Sequence, residues 1–416
     1  MSAVENIKPE ISKTEAVSPD HPSWIIDGSP EFRRATFALF LAGFASFSLI
    51  YCVQPLLPEF PTEFGVNPAT ASLALSLTTG SLAISILLSG MFAQRTTRRD
   101  LMFVSMLMAA LCNILAASTE NWEWLLAARA LEGFVLGGVP AVAMAYLAEE
   151  VGPASLGKAM GLYVGGTAFG AMIGRVGMGL VSAYTSWQVA MYILGTACIL
   201  AAIGFRMLLP PSRNFKPQSM PFSKHQALWM LHLKNPELLR LFFIGAMLTS
   251  VFTTVFNYCA FRLAAPPYGL GRTAISMIFL TFAFGIIASS YGGMLVDRFG
   301  RRRMLLIAFP AILAGVLLTL ASSVIAIVLG ISIITIGFFI GHSAASSGVG
   351  ANAGLAKGHA SALYLLAYYG GASIAGWAGG WFWIHAGWTG VVMLTAGCAI
   401  AGTLASTPMA APNKPR

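Results

Sequence analysis

The feature that most constrains this chain is a series of twelve apolar stretches, each about 20 residues long. A helix of about 20 apolar residues spans the roughly 30 Å of hydrocarbon in a bilayer. Only 10% of the residues are charged, whereas a soluble domain carries about 25%. The sequence therefore predicts an all-α integral membrane protein with 12 transmembrane helices. They are placed at residues 35–57, 70–93, 100–118, 124–147, 156–181, 188–209, 239–262, 273–296, 303–321, 324–347, 359–383 and 389–407.

The basic residues give this chain an orientation. The net charge is +9, but the lysines and arginines lie in short loops between apolar stretches. Nearly all of them fall on one side, and the other side has only Arg262 and Arg272. This asymmetry follows the positive-inside rule and places both termini in the cytoplasm. We therefore expect a multi-pass protein of a bacterial inner (plasma) membrane, surrounded by lipids, with no nucleic-acid partner.

Polar segments divide the chain into five parts. Residues 1–33 are predicted to be a disordered cytoplasmic tail, and residues 409–416 a second tail. Residues 34–209 and 239–408 each hold six apolar stretches and are predicted to be six-helix bundles. Residues 210–238 are rich in proline and basic residues and form a cytoplasmic linker. Within it, Leu228–Leu233 fits either a short amphipathic helix on the inner leaflet or an ordinary solvated loop.

The two bundles look like copies of one another. Tyr51-Cys52 recurs as Tyr258-Cys259, and the loop G-M-F-A-Q-R-T-T-R-R that begins at Gly90 recurs as G-M-L-V-D-R-F-G-R-R from Gly293. Further pairs follow the same spacing of about 200 residues: Tyr163 with Tyr364, Gly170 with Gly371, Gly179 with Gly380 and Trp187 with Trp388. Two copies with cytoplasmic ends imply parallel repeats, with a solute site near the midplane between them.

These residues resemble the major facilitator superfamily over nearly the whole chain. The hallmark loop of that family, G-x-L-A-D-R-x-G-R-R, is matched almost completely from Gly293 onward and partly from Gly90 onward. Helix 4 is similar to the family's R-x-x-Q-G element. Helix 5 carries Gly161, Gly170, Gly174 and Gly179, spaced like the glycine motif of proton-coupled antiporters, with Arg175 in place of a proline. Within the family, the chain resembles the YnfM-like branch of efflux permeases. The resemblance implies the major facilitator fold.

The resemblance also implies a gating role for the two loops. The residues concerned are Gly90, Gln94, Arg95, Arg98, Gly293, Asp297, Arg298, Gly300 and Arg301. In physical terms, a carboxylate there can pair with arginines and face a helix N-terminus, which would latch one state of two rocking bundles. The alternative is that the arginines only set the topology. Because Gln94 is neutral, a latch in the first copy would depend on uncharged hydrogen bonds.

Arg129 and Glu132 form the sharpest pair of ionisable residues. Their i, i+3 spacing puts them on one face of helix 4, well inside the membrane. Ionisable groups at that depth are costly and usually functional. Glu132 is therefore the best candidate for a proton-coupling carboxylate, with Arg129 as its partner. The alternative is a self-neutralising structural pair that never titrates during transport.

Seven further polar or aromatic residues are candidates for the substrate cavity: Tyr51, Gln54, Arg175, Asn257, Tyr258, His342 and Tyr368. Tyr51, Gln54, Asn257 and Tyr258 fall in the helices that line the cavity in the resembling family. Arg175 would meet an anionic solute or an acid, or its side chain would reach the outer headgroups. Ordinary interhelical hydrogen bonding is the alternative for each of these residues taken alone.

No motif of a soluble enzyme is present: the sequence lacks GxxxxGK[ST], HExxH and GxSxG. The five cysteines lie inside apolar stretches without a C-x-x-C pair, so neither a metal site nor a cofactor is expected. We predict a monomeric secondary transporter that is not an enzyme and that exchanges protons for an exported small organic solute, driven by the proton gradient. The alternatives are a proton symporter or facilitator that imports a metabolite, and a membrane sensor that transports nothing.

Overall fold

In the computed structural model, the chain is described at residues 24–92, 97–215, 220–354 and 356–408, and these parts are almost entirely helical. The long helices are α1 Pro30–Tyr51, α2 Pro68–Phe92, α3 Arg98–Ala117, α4 Trp122–Glu150, α5 Pro153–Tyr184, α6 Trp187–Leu208, α7 Pro236–Ala264, α8, α9 Arg301–Leu318, α10 Val324–Asn352 and α11 Lys357–Ser406. α8 consists of Arg272–Met277, a 3-10 turn at Ile278–Thr281 and Phe282–Phe299. Three short helices connect the long helices: Gln54–Leu56, Phe60–Phe64 and the linker helix Phe222–Leu233.

Each predicted stretch lies on a helix, and the number of membrane spans stays a prediction. Within the described residues, ten helices are long and apolar enough to cross a membrane. The last of these, α11, has 50 residues and is interrupted at Ala386 and Gly387, so it has two arms that match the last two stretches. α9 is too basic at its start to count among the ten, and it matches the ninth stretch. The sides of the membrane that the two ends face stay a prediction.

The first stretch ends earlier than predicted. The helix expected over residues 35–57 stops at Tyr51, and a turn and a short 3-10 helix follow at Gln54–Leu56. Pro55 explains the stop, since proline lacks the N–H that a helix needs and clashes with the preceding turn. The break leaves the last carbonyls of α1 without intrahelical partners.

The N-terminal tail also differs from its predicted extent. α1 begins at Pro30, where the Ser29 hydroxyl accepts a hydrogen bond from the Phe32 N–H at 3.1 Å. Ile25 is buried, and its N–H donates to the Glu150 carbonyl at 2.8 Å. Residues 24–33 are therefore ordered against α4, although the tail was predicted to reach residue 33. Residues 1–23 and the second tail, 409–416, lie outside the described residues.

The internal repeat is visible in the packing. The Ser48 hydroxyl of α1 donates to the Gly170 carbonyl of α5 at 2.9 Å, and the Ser250 hydroxyl of α7 donates to the Gly371 carbonyl of α11 at 3.2 Å. A side chain at Gly170 would overlap the Phe44 backbone, as one at Gly371 would overlap Ala246. Small residues thus bring the same two helices into close contact in each copy, as in other membrane bundles.

The two ends of the bundle carry different elements. The linker end is where α1 and α7 begin, at Pro30 and Pro236, and where the linker helix lies. The far end carries residues 57–67 and Gly271. The linker helix confirms the helical interpretation of Leu228–Leu233, and it packs on the start of α11, where His225 Nδ1 lies 2.9 Å from His359 Nε2.

Candidate functional site

A buried arginine marks the centre of the interface between the two halves. Arg175 lies in α5, nine residues before the helix ends at Tyr184. At about 1.5 Å per residue, this places it roughly 13 Å below the far end. Its side chain is nearly inaccessible, with 1% of the residue surface exposed. In the described part of the chain, no carboxylate forms an ion pair with it.

A chain of polar side chains leads from this arginine across the interface. Arg175 Nε donates to Gln54 Oε1 at 2.6 Å, and Gln54 Nε2 donates to Asn257 Oδ1 at 2.7 Å. Gln54 is there because α1 breaks at Tyr51, while Asn257 is part of the unbroken α7. The structure therefore brings together three of the predicted cavity residues, one pair of which joins the two halves.

Aromatic rings surround the guanidinium group. Its carbon lies 4.0 Å from the ring centre of Tyr51, 4.5 Å from that of Phe282 and 5.6 Å from that of Phe279. A cation over an aromatic face is attracted by the ring quadrupole. The two phenylalanines of α8 were not predicted, because nothing in an apolar stretch shows which of its rings will face an arginine in another helix.

Several buried polar atoms beside the chain have no hydrogen-bond partner. They include Asn257 Nδ2, Thr254 Oγ1 and Ser76 Oγ. Asn257 Nδ2 and Ser76 Oγ both lie 3.1 Å from the position that a Cβ on Gly376 would take. A buried polar group without a partner is costly, so the described protein atoms leave this part of the interface with unsatisfied hydrogen-bonding groups.

The other predicted cavity residues are found at two places. His342 Nδ1 lies 2.9 Å from the Tyr364 hydroxyl, and the His342 ring lies 5.0 Å from the Tyr368 ring. Like Tyr51, His342 and Tyr368 are partly exposed. Tyr258, in contrast, is fully buried, and its hydroxyl donates to the Gly376 carbonyl at 2.8 Å. Its side chain also forms a hydrogen bond with Ser72 of the first half, so Tyr258 lies at the interface between the halves.

Arg129 and Glu132 lie inside the first half and not at its interface. Neither has any exposed surface, and Arg129 Nη1 lies 2.6 Å from Glu132 Oε2. Arg129 also donates to the carbonyls of Leu49 and Ile50, at 3.2 and 2.8 Å, and to that of Ala74 at 3.2 Å. It therefore caps the broken end of α1, where the helix dipole favours a cation.

The Glu132 carboxylate uses only one of its two oxygens in the pair with Arg129. Glu132 Oε1 is buried and has no hydrogen-bond partner. One half of the carboxylate is thus fixed by Arg129, while the other half faces protein atoms that offer it no donor.

An ion pair closes the far end between the halves. Arg272 of α8 donates to the Ser182 carbonyl of α5 at 2.8 Å, and its Nε lies 3.1 Å from Glu59 Oε1. That N–H is not aligned with the oxygen, which has no hydrogen-bond partner. Burial raises the pKa of Glu59 to about 7, against the attraction of Arg272 and with a small contribution from Glu63. Glu59 was not among the predicted site residues.

The gating loops are only partly described. Gln94 and Arg95 lie outside the described residues, and for Gly90 only the helical backbone is described. Arg98 pairs with Glu149 of α4 at 2.7 Å. Gly300 has a φ of +84°, which favours glycine and explains its place in the turn between α8 and α9. Thr97, at the matching position, has a φ of −64° and caps α3 through the Asp100 N–H.

The second loop is not latched in this conformation. Asp297 and Arg298 are exposed, and none of the ion pairs among the described residues includes Asp297. Arg298 lies over the ring of Phe299 at 5.2 Å. Arg301 Nε is buried beside Gly348 without a hydrogen-bond partner. Gly293 faces open space, and its neighbour Gly292 packs against Ser343 instead.

Comparisons with known proteins agree over most of the chain. A family profile described as Major Facilitator Superfamily matches residues 39–371. The chain is 43% identical to the uncharacterized MFS-type transporter YybF of Bacillus subtilis (strain 168), over 89% of this chain and 92% of YybF. It is 38% identical to the inner membrane transport protein YnfM of Escherichia coli (strain K12), over 91% of each. A bacterial homologue of the human lysosomal transporter Spinster, solved inward-facing and occupied, superposes with a TM-score of 0.71 at 14% identity, over 91% of this chain and 96% of the homologue.

Proposed function

Because the chain belongs to the Major Facilitator Superfamily, we propose that it exports a small organic solute from the cytoplasm in exchange for protons. Family membership itself makes the chain a membrane transporter, not an enzyme. The direction of transport and the use of protons are the parts that we propose. The protein works in the inner membrane of a bacterium, as the name of its relative YnfM states for that protein.

The single observation that carries the proposal is the distribution of polar contacts between the halves. Among the described residues, the hydrogen bonds or ion pairs that join them include Gln54 with Asn257, Ser72 with Tyr258, Ser76 with Ser373, Glu59 with Arg272 and Ser182 with Arg272. All of these lie in the middle or at the far end. Such an arrangement suits a carrier that opens one end at a time around a central site.

We infer that the linker end is the end that opens in this conformation, because none of these polar contacts between the halves lies there. With the basic loops in the cytoplasm, this end faces inward. A cytoplasmic solute would then reach the site past the partly exposed rings of Tyr51 and Tyr368.

Export with proton exchange is supported by the glycines of α5, which resemble the motif of proton-coupled antiporters. Gly170 and Gly174 pack on the backbone of α1, while Gly179 meets Ser276 of the second half. We place the proton on Glu132, because its free oxygen is the one carboxylate oxygen in a described membrane helix that is buried without a partner. Arg129 would hold the other oxygen and leave this one to titrate.

The export test is designed for a solute of unknown identity. Cells that overproduce the chain are compared with empty-vector cells by mass spectrometry of the medium, and we expect one or a few organic solutes to accumulate outside. Such a solute, added to everted vesicles that hold an acid-inside gradient, should make the lumen more alkaline. Gradient-driven uptake into intact cells, with no alkalinisation in the vesicles, would instead identify an importer.

The role of Glu132 is tested in the same vesicles. We expect Glu132→Gln to abolish solute-driven proton movement while solute-for-solute exchange continues, because the amide has nearly the shape of the acid but cannot carry a proton. Glu123→Gln is the matched control, since Glu123 is exposed at the start of α4. Unchanged proton coupling in Glu132→Gln would remove this residue from the mechanism and leave the structural pair as its role.

A further inference from the structure

We propose that the exported solute is an organic anion, a carboxylate with an apolar or aromatic body, and that Arg175 binds its charged group. The inference rests on the proposed function, because it concerns the same central site. It specifies the chemical class of the solute, which family membership does not provide.

The site carries a positive charge that the described protein does not neutralise. Arg175 is buried at the interface, and none of the described carboxylates pairs with it. A buried charge without a counter-ion is strongly unfavourable. The rings of Tyr51, Phe279 and Phe282 compensate it in part, yet they add no negative charge. A ligand that brings one negative charge would complete the neutralisation.

The site has more free hydrogen-bond donors than free acceptors. Arg175 uses its Nε on Gln54 and its Nη1 on the Ala171 carbonyl of its own helix. The Gln54 amide oxygen and the Asn257 amide oxygen are therefore both occupied. Asn257 Nδ2, which can only donate, and the Ser76 hydroxyl remain without partners. The site thus offers a cation and spare donors, which match the oxygens of a carboxylate.

Arg129 differs from Arg175 in having a counter-ion within the protein. Arg129 is equally buried, but its carboxylate partner is three residues away in the same helix, and three carbonyls accept further hydrogen bonds from it. The protein therefore neutralises a buried arginine within the fold at one place and leaves another without a counter-ion at the interface. The difference is explained if the counter-ion at Arg175 comes and goes with the solute.

The rings around Arg175 favour a solute with an apolar or aromatic body. The walls around the arginine are aromatic, and the approach from the linker end passes Tyr368 and His342, whose rings are partly exposed. Aromatic walls with a few polar groups are typical of sites for organic molecules. A small inorganic anion would satisfy the charge but would make little use of these rings.

Matched pairs of ligands test the inference on the purified full-length protein. Thermal unfolding is followed with benzoate and benzamide, and with 1-naphthoate and 1-naphthamide, which differ in charge but hardly in shape. We expect the two carboxylates to raise the Tm in a concentration-dependent manner, as ligands of the folded state do, and the amides to have at least about tenfold weaker affinity. Chloride should have no comparable effect.

Variants separate the site from the surface. The carboxylate effect should disappear in Arg175→Gln, persist with reduced affinity in Arg175→Lys, and stay unchanged in Arg33→Gln, whose arginine is exposed at the linker end. If Arg175→Gln does not fold, Asn257→Ala, which keeps the charge, should still weaken the carboxylates selectively.

Three results would overturn the inference: no stabilisation by either carboxylate, equal stabilisation by acids and amides, or an effect reproduced by chloride alone. Because the assay measures binding without transport, its outcome is independent of the export test. An export direction that proves wrong would leave an anion site intact, and an exported neutral solute would refute the anion site but not export.

Discussion

A buried arginine has a counter-ion in the interior of the first half, but a buried arginine at the interface between the halves has none among the described residues. Inside the first half, Arg129 has a carboxylate at 2.6 Å and three backbone carbonyls. At the interface, Arg175 has no carboxylate among the described residues, and Arg272 meets Glu59 without an aligned hydrogen bond. The buried arginine inside the first half thus has a counter-ion in its own helix, while the buried arginine at the interface has none among the described residues.

This difference has a physical reason. Breaking a buried ion pair leaves an uncompensated charge in a medium of low dielectric constant. A carrier that had to break such a pair in each cycle would face a barrier of several kcal/mol. An interface of weaker contacts lets the two halves separate at small cost. The three predictions that follow test this difference, from the largest expected effect to the smallest.

Removing the arginine inside the first half should have the largest effect. Arg129→Gln leaves Glu132 buried without its cation and the end of α1 without its cap, so we expect a loss of about 3–5 kcal/mol in stability. Thermal unfolding and gel filtration of the purified variant measure it. The control Arg206→Gln, which removes a half-exposed pair with Asp100, should cost no more than about 1 kcal/mol. Equal behaviour of the two variants would contradict the structural role of Arg129.

The far-end pair should give an intermediate effect that depends on pH. Burial raises the pKa of Glu59 to about 7 in the closed far end, whereas an exposed glutamate has a pKa of about 4.3. Because the proton binds more tightly in the closed state, acid stabilises closure. Closure becomes less favourable as the pH rises through 7, by about tenfold in the closed-to-open ratio between pH 6 and pH 8.

Two variants sharpen this pH prediction. Glu59→Gln should stay closed at every pH, and Arg272→Gln should move the midpoint upward, because Arg272 attracts the ionised form. The groups whose charges act on Glu59 are Arg272 and Glu63, so Glu63→Gln serves as a control for the smaller contribution. Closure that weakens in acid would show that the ion pair, and not burial, dominates.

The smallest effect on stability is expected at Arg175. Arg175→Met removes an uncompensated charge and keeps an apolar stem among the rings, so the ligand-free protein should change by no more than about 1 kcal/mol or become more stable. Thermal unfolding without ligand, beside Arg129→Met, measures the contrast directly. A destabilisation of Arg175→Met as large as that of Arg129→Met would mean that both arginines are structural.

The sequence was sufficient for the fold. The apolar stretches and the repeated loops predicted the all-α membrane fold and the family, and the comparisons confirm both. The fold was predictable because the length of an apolar stretch must match the bilayer whatever its neighbours are. The end of α1 at Tyr51 was missed, although Pro55 was visible, because a proline inside an apolar stretch can kink a membrane helix as well as end it.

The site was only partly predictable. Tyr51, Gln54, Arg175 and Asn257 were assigned to one cavity, and the structure brings them together. Their roles in transport stay predictions, as do those of Glu132 and the gating loops. Phe282 and Glu59 could not be found, because their significance depends on contacts with residues more than 100 positions away in the chain. Sequence spacing within one helix contains no such information.

The most direct test of alternating access around the central site measures both ends at once. Spin labels at Tyr184 and Ile325, which are 84% and 74% exposed at the far end, are compared with labels at the exposed Lys158 and Lys357 of the linker end. Distances are recorded in lipid nanodiscs at pH 6 and pH 8. We predict that the far-end distance lengthens at pH 8 as the linker-end distance shortens. Active protein in which the two distances stay constant, or lengthen together, would contradict the account.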